Sequence, residues 1–301
     1  MTAVDVRIYE VGPRDGLQAE GRVVATPDKL RFIHLLATAG LREIEATSFV
    51  SPRAIPQLAD ADELMTDLDR WPGVRYPVLV PNARGLERAI AANVDAACLF
   101  TAATESYVRH NINMGIEESL AAFAPIAAEA RQRGWWLRAY VSTAFGCPYE
   151  GEVDPAAVVS VSERLLAMGV DELSVSDTVG MAAPADVERV LGALRAAGIG
   201  SEVVALHFHD TRGTALANVM AALERGVTAF DASTGGTGGS PFAPGAAGNL
   251  ATEDLVYLLD RQGMRHGVDL DAVLEAGRFI GQALGRPEPM SKLGRAGGWP
   301  G

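Results

Sequence analysis

The sequence predicts an α/β chain folded as a closed (β/α)8 TIM barrel with a short C-terminal helical extension. Three observations predict it. Eight short apolar runs alternate with longer segments of helical periodicity, which requires a parallel sheet with right-handed crossovers. Eight repeats fit a closed ring better than an open doubly wound sheet, and the GxGxxG turn that a nucleotide-binding open sheet wants after its first strand is missing. The length, 301 residues, would make about two average domains, but α/β barrels of this size are single units. No linker or internal repeat interrupts the pattern. One domain is therefore expected over 1–285, with a Gly/Pro-rich tail over 286–301.

The strand-like runs are 5–11 (DVRIYEV), 43–48 (EIEATS), 75–80 (RYPVLV), 95–102 (DAACLFTA), 136–143 (WLRAYVST), 172–177 (ELSVSD), 203–209 (VVALHFH) and 229–234 (AFDAST). Each is followed by a helix or a helix-length segment. Residues 27–39 place Leu30, Ile33, Leu36 and Ala37 on one face, with Thr26 as the N-cap and Gly40 as the C-cap. Segments 116–132, 154–168 and 183–197 read the same way. Pro184 sits near one start, and Gly134, Gly169 and Gly198 stand just past three ends. A further helix is expected over 268–284.

Composition narrows the function. Hydrophobic residues are 48% and charged residues 21% of the chain, which excludes disorder. Lys and Arg number 26 against 38 Asp and Glu, a net charge of −12, which argues against nucleic acid or an anionic membrane as partner. The two cysteines, Cys98 and Cys147, have no CxxC spacing and are too few for a disulfide framework. The opening MTAVDVRIYE lacks the basic and apolar regions of a signal peptide, and no apolar stretch is long enough to span a membrane. A soluble cytoplasmic protein is the expectation.

In a barrel the chemistry sits at the C-terminal ends of the strands. That filter selects Arg14, Asp15 and Gln18 after the first strand, Glu45 in the second, Asp177 at the sixth, His207 and His209 at the seventh, and a glycine-rich run after the eighth. His207 and His209 are two residues apart on a strand, so both imidazoles face one way and can share an ion. The plainer alternative is one packed and one exposed histidine. With Asp15 across the barrel mouth, the set makes a mixed imidazole–carboxylate site with open positions, suited to Mn²⁺, Co²⁺ or Fe²⁺, or to Mg²⁺ when substrate oxygens complete it. Asp15 alone would read as a turn residue and Arg14 as a structural ion pair. Together they put a guanidinium beside a metal-binding carboxylate, where it can hold a developing oxyanion. Glu45 lies in a half-apolar strand and needs either a cation such as Arg14 or a role as a base; Asp177 carries the same ambiguity.

The run from Gly235 to Asn249, GGTGGSPFAPGAAGN, holds six glycines in fifteen residues. It reads either as a plain loop with Asn249 capping the next helix, or as a lid with Asn249 as a further metal ligand.

The motifs VGPRDGLQAE (11–20), EATSFVSPRAIPQLAD (45–60), NINMGIEESL (111–120), GCPYEG (146–151), SDTVG (176–180), HFHDT (207–211) and GNLATEDLVYLL (248–259) resemble the hydroxymethylglutaryl-CoA lyases. These belong to a wider group of metal-dependent barrel enzymes with an Arg-Asp-Gly opening motif. The resemblance covers about residues 5–285. It implies a retro-aldol cleavage of a 3-hydroxyacyl-CoA, with hydroxymethylglutaryl-CoA giving acetyl-CoA and acetoacetate. It implies a divalent metal, Mg²⁺ or Mn²⁺ with Co²⁺ as a further fit, held by Asp15, His207, His209 and Asn249. Arg14 matches the enolate-stabilising arginine. Glu45 and Asp177 match carboxylates of the site, and Gln18 lies beside the metal on the substrate side. His207, acting with Asp177, or else Glu45, is expected to take the hydroxyl proton. The expected partners are the acyl-CoA substrate and a second copy of the chain in a dimer.

One position departs from the family. Where its glycine loop carries a catalytic cysteine (GGCP), this chain has Gly238-Gly239-Ser240-Pro241. A thiol with a pKa near 8.5 exchanges protons near neutrality far more readily than a serine hydroxyl. Ser240 keeps open a related substrate, such as a citramalyl-type thioester, and a weakly active metal- and acyl-CoA-binding homologue.

Overall fold

The computed structural model describes residues 5–238, 248–286 and 288–297. Its strands are β1 (Arg7–Glu10), β2 in two pieces (Glu43–Ile44 and Thr47–Ser48), β3 (Val78–Leu79), β4 (Ala96–Ala102), β5 (Trp136–Ser142), β6 (Glu172–Asp177), β7 (Val204–Phe208) and β8 (Ala229–Ala232). Every pairing is parallel, and β8 returns to β1. The first piece of β2 pairs with β1 and the second with β3. Within β2 the hydrogen bonds alternate sides: Ile44 donates to Arg75 and Ala46 to Pro77, while Glu45 donates to Glu10 at 2.8 Å. The ring is therefore closed, and the open-sheet alternative is excluded.

Period-two alternation sorts the strand residues into two environments. Along β5, Leu137, Ala139 and Val141 join the large core between sheet and helices, while Arg138 and Tyr140 face the barrel interior. The interior holds a small apolar cluster of Tyr9, Val11, Leu79, Cys98 and Tyr140. The rest is ionic. Arg138 is wholly buried, reaches Glu172 at 2.8 Å and Asp231 at 2.5 and 3.1 Å, and lies 3.9 Å from the Tyr9 ring centroid. Glu172 also accepts from Arg7, which pairs with Glu43, which pairs with Arg75. An ionic column thus runs from Asp231 through the wholly buried Arg138 to the half-exposed Arg7 and Arg75.

The helices are α1 (Thr26–Thr38), α2 (Ala61–Asp67), α3 (Ala83–Ala91), α4 (Glu105–Ile112), α5 (Ile116–Gln132), α6 (Pro155–Ala167), α7 (Pro184–Ala196), α8 (Ala215–Glu224), α9 (Thr252–Arg261), α10 (Leu270–Ala283) and α11 (Lys292–Arg295). The expected 116–132, 154–168, 183–197 and 268–284 segments all form. Thr26 does not cap α1. It is the first helical residue, and its hydroxyl donates to Asp60 at 2.9 Å. Gly40, just past α1, has φ +100° and lies against the Gly267 carbonyl, where a Cβ would sit 2.2 Å away. Residues 288–297 pack on α9, whose Asp254 accepts from the Lys292 and Leu293 amides at 3.0 and 2.7 Å.

Glu253, buried at the start of α9, accepts from the Gly235 amide at 3.0 Å, and burial pushes its carboxyl up to about 7 from the usual 4.5. The folded chain therefore keeps a proton that the unfolded chain has released between about pH 4.5 and 7, so this contribution to stability is full below that window and lost as pH rises through it. Glu253→Gln removes the charge and keeps an acceptor. It is expected to raise Tm by about 5 °C at about pH 8 and to leave it near wild type at about pH 5. Thermal melts at both pH values check this, and an equal effect at the two would refute it.

Candidate active site

The chain leaves β1 through a tight turn over Gly12–Gly16 that presents Arg14 and Asp15 at the barrel mouth. Glu10, at the end of β1, organises this corner. Its buried carboxylate accepts from the Gly12 amide (2.8 Å), the Thr234 amide and hydroxyl (2.8 and 2.6 Å) and the Thr252 hydroxyl (2.7 Å). One side chain thus ties the turn to the stem of the glycine-rich loop and the start of α9. At Gly16 a Cβ would sit 2.4 Å from the Thr237 hydroxyl, so the loop stem lies directly on the turn.

Arg14 is 6% exposed and donates to Glu45 at 2.9 Å and to Asp15 at 2.6 Å. Burial works against its charge, but Glu45 and Asp15 outweigh that and hold the guanidinium protonated. Tyr140 donates to the same Glu45 oxygen at 2.6 Å, and its ring centroid is 5.1 Å from the Arg14 guanidinium carbon. Of the two roles the sequence left to Glu45, the geometry fits the ion-pair partner. Glu45 is wholly buried, and Arg14 and Tyr140 both bond its Oε2.

Asp15, His207 and His209 bring one ligand atom each to within 4.8 Å of one another. Burial, followed by the neighbouring His207, drops the His209 pKa to about 3, so its imidazole is neutral and available. The Nδ1 of His209 and the Oδ1 of Asn249 are buried without a hydrogen-bond partner. Asn249 donates to Asp15 at 2.9 Å. It does not cap α9, which starts at Thr252 with Ala251 as its N-cap. Two orphaned donor atoms beside a carboxylate and a second imidazole are what a divalent cation would satisfy.

His207 donates from Nδ1 to Asp231, 3.1 Å away, if its tautomer leaves Nε2 free for the cluster. Asp231 also accepts from the Ser174 hydroxyl at 3.0 Å. Burial raises the Asp231 pKa, but Arg138 more than compensates and the carboxyl drops to about 2. The carboxylate hydrogen-bonded to His207 is therefore Asp231. Asp177 accepts instead from the Met181 and Ala182 amides at 2.8 and 3.0 Å, and burial pushes it up to about 6. Its neighbours Ser176 and Thr178 line the cavity and it does not.

That cavity, of about 310 Å³, is walled by Arg14, Asp15, Gln18, Tyr107, Tyr140, His207 and His209 among others. Ser240 lies outside the described residues. Sequence reasoning passed over Glu10, Arg138, Tyr140 and Asp231. For Arg138 and Asp231 the available signal was a charged residue at an inward strand position in WLRAYVS and AFDAST, whereas Glu10 shares the parity of Ile8 and lies on the helix side of β1.

The chain matches the model of the HMGL-like family over residues 5–280. It belongs to that family. It is 48% identical over 288 residues to the hydroxymethylglutaryl-CoA lyase YngG of Bacillus subtilis, covering 96% of each chain. It is 47% identical over 291 residues to the human mitochondrial hydroxymethylglutaryl-CoA lyase, covering 97% of this chain and 89% of that one. The HMG-CoA lyase structure from B. subtilis superimposes with a TM-score of 0.95 at 47% identity, over 98% of both chains. An HMG-CoA lyase from Acinetobacter baumannii, solved in complex with coenzyme A and 3-methylmalate, superimposes with a TM-score of 0.92 at 40% identity, over 99% of this chain and 97% of that one.

Proposed function

We propose that this chain is a divalent-metal-dependent carbon–carbon lyase that cleaves 3-hydroxy-3-methylglutaryl-CoA to acetyl-CoA and acetoacetate. One observation carries the reading: a guanidinium fixed by a buried carboxylate shares a cavity wall with a three-donor cluster. Identity near one half to lyases of that substrate supports it.

Asp15, His207 and His209, with the Asn249 carbonyl oxygen, would hold the cation. Once bound there, a divalent cation supplies Lewis acidity toward the substrate's oxygens and lowers the pKa of its 3-hydroxyl. Neutral imidazoles with carboxylate and amide oxygens suit Mg²⁺ or Mn²⁺, with Co²⁺ a further fit. Of the groups the sequence offers as base, His207 lines the cavity while Glu45 and Asp177 do not, so His207 is assigned to take the hydroxyl proton. The hydroxyl oxygen then becomes the ketone of acetoacetate as the C2–C3 bond breaks, and the electron pair passes into the thioester as an enolate. Arg14 is aimed by Glu45 and Tyr140 and meets the negative thioester oxygen with a charge already in place. Glu45 is a positioning residue in this scheme. Asp177 acts on the site by holding the 178–182 turn, and Gln18 contacts substrate from the wall. Ser240, at the position where the family carries a catalytic cysteine, is the group assigned to return the proton to C2.

Purified protein with Mg²⁺ or Mn²⁺ is expected to release acetoacetate from hydroxymethylglutaryl-CoA and to stop on addition of chelator. No turnover across a panel of 3-hydroxyacyl thioesters, citramalyl-CoA included, overturns the reading. Ser240→Cys is expected to raise kcat on hydroxymethylglutaryl-CoA by about tenfold or more, since a thiol is the better proton donor near neutrality. No gain, together with faster turnover of another thioester by the wild type, favours a retuned substrate. We expect the enzyme in the cytoplasm and as a dimer, which light scattering on the purified chain reads directly. Among the described residues no helix is long and apolar enough to cross a membrane.

A further inference from the structure

We propose that Glu20 is a positioning residue for the cation: it fixes the Thr237–Gly238 peptide, and through that peptide the end of the Asn249 amide that faces the metal cluster. The inference deepens the divalent-metal reading above and rests on it. An asparagine side chain has two unlike ends, a carbonyl oxygen that can ligate a cation and an NH2 group that cannot. Asn249 therefore serves the cluster in only one of its two amide orientations. Two acceptors select that orientation by taking its Nδ2 protons, the Asp15 carboxylate at 2.9 Å and the Thr237 carbonyl at 3.3 Å. The Oδ1 end is left buried and without a hydrogen-bond partner. Asp15 is itself a candidate ligand, so the Thr237 carbonyl is the selecting acceptor that lies outside the cluster.

That carbonyl has to face the right way. A trans peptide is planar, with its C=O and N–H pointing in opposite directions, and no peptide among the described residues is cis. The N–H that shares a plane with the Thr237 carbonyl belongs to Gly238, and it donates to Glu20 Oε1 at 3.2 Å. Turning the plane over would lose this bond and the Asn249 contact together, and would aim a carbonyl at a carboxylate. Position 238 offers little resistance of its own to such a turn, because it is a glycine, with φ +91°. It has to be one: a Cβ there would sit 2.7 Å from Asn249 Nδ2 and 3.2 Å from the Gly16 Cα. The close packing that brings the backbone onto the Asn249 amide thus requires a residue that does not hold its own conformation, and Glu20 holds it instead.

Glu20 is fixed in turn. It is buried, and Arg286, just past α10, grips both of its carboxylate oxygens, Nη1 to Oε1 at 2.9 Å and Nη2 to Oε2 at 2.5 Å. Its backbone carbonyl accepts from the Gln57 side chain at 2.6 Å. Neither Glu20 nor Arg286 is on the described wall of the catalytic cavity. Glu20 therefore acts on the site through Asn249 and not by touching substrate.

The test is Mn²⁺ affinity, read by calorimetry on variants of the full chain, with a thermal melt of each. Glu20→Ala is expected to weaken the Kd by about tenfold or more, the scale of losing a residue that orients a ligand. Glu20→Gln keeps an acceptor oxygen for the Gly238 amide and gives up the Arg286 ion pair. Arg286→Gln gives up the same pair and leaves Glu20 in place. Both should lower Tm yet bind Mn²⁺ within about threefold of wild type, since a partly exposed pair contributes little. In an Asn249→Ala background, Glu20→Ala should weaken Mn²⁺ binding no further, because its effect passes through that amide. Should the alanine variant fail to fold, Glu20→Asp withdraws the acceptor by one methylene and is expected to weaken Mn²⁺ binding in its place. A Kd within threefold of wild type for the alanine variant, or for the aspartate variant in its place, overturns the proposal. So does an equal loss in Glu20→Ala, Glu20→Gln and Arg286→Gln, which would make the ion pair the cause, and so does a loss that adds fully to that of Asn249→Ala. Wild type that binds no Mn²⁺ overturns it together with the metal reading. If the wild type cleaves no thioester yet loses Mn²⁺ affinity with Glu20→Ala alone, the positioning role stands and the lyase reading falls. If it cleaves hydroxymethylglutaryl-CoA and Glu20→Ala binds Mn²⁺ as the wild type does, the lyase reading stands and the positioning role falls.

Discussion

Replacing Arg14 by glutamine is expected to lower kcat by about a thousandfold, roughly 4 kcal/mol of transition-state stabilisation, the scale of losing a preorganised charged donor at an oxyanion. The charge on the thioester oxygen appears only as the C2–C3 bond breaks, so the loss should fall on kcat and spare KM. Arg14→Lys is the sharper comparison. It keeps the charge but cannot donate to Glu45 and Asp15 at once through a planar fork, as Arg14 does at 2.9 and 2.6 Å. It should therefore remain well below wild type. Steady-state kinetics on hydroxymethylglutaryl-CoA with saturating Mg²⁺ would read both. A glutamine variant with wild-type kcat would remove Arg14 from the mechanism. Because Glu45 loses its cation in the glutamine variant while keeping the Tyr140 hydroxyl, a thermal melt should accompany the kinetics.

Asp231→Asn is expected to act on metal binding and on stability together. Asp231 accepts from Arg138, Ser174 and His207, so it orients an imidazole of the candidate metal cluster and neutralises a wholly buried guanidinium. An asparagine can instead donate its amide to His207 Nδ1, which would drive the imidazole proton onto Nε2, where it blocks a ligand position. Mn²⁺ affinity, read by calorimetry, should fall by about 10–100-fold. Arg138 would keep only Glu172 as a carboxylate partner, and breaking a buried pair on one side costs about 3 kcal/mol, measurable by urea unfolding. The pH dependence follows from the Asp231 pKa, held near 2 against the usual 3.8. Its contribution of about 2 kcal/mol is present above about pH 4 and lost as pH falls toward 2, so wild type and variant should converge in acid. Wild-type Mn²⁺ affinity in the variant would show that the His207–Asp231 contact does not set the metal site.

Much of the fold was legible in the sequence because it is local. Each of the eight strand runs contains an observed strand, and Gly134, Gly169 and Gly198 follow helices with φ of +71°, +86° and +82°. The errors were also local. Thr26 had the composition of a cap but was drawn into the helix by Asp60, a partner 34 positions away. Asn249 likewise resembled a cap, yet its amide is spent on Asp15, 234 positions away.

The candidate site divides along the same line. The sequence by itself determined the eightfold alternation, the shared face of His207 and His209, and the residues available at the strand ends. Two-residue periodicity and helix capping act within a few positions and need no knowledge of the rest of the chain. Only the tertiary structure decided which charges meet. Parallel pairing sets β1 beside β2, so Arg14 finds Glu45 and the buried carboxylate becomes its holder. Inward parity on β5 and β8 lets Arg138 cross the barrel interior to Asp231, 93 positions away, and makes Asp231 the carboxylate on His207. A buried charge must be compensated wherever the chain places it, and the identity of its partner depends on strand order and register, which no local pattern encodes.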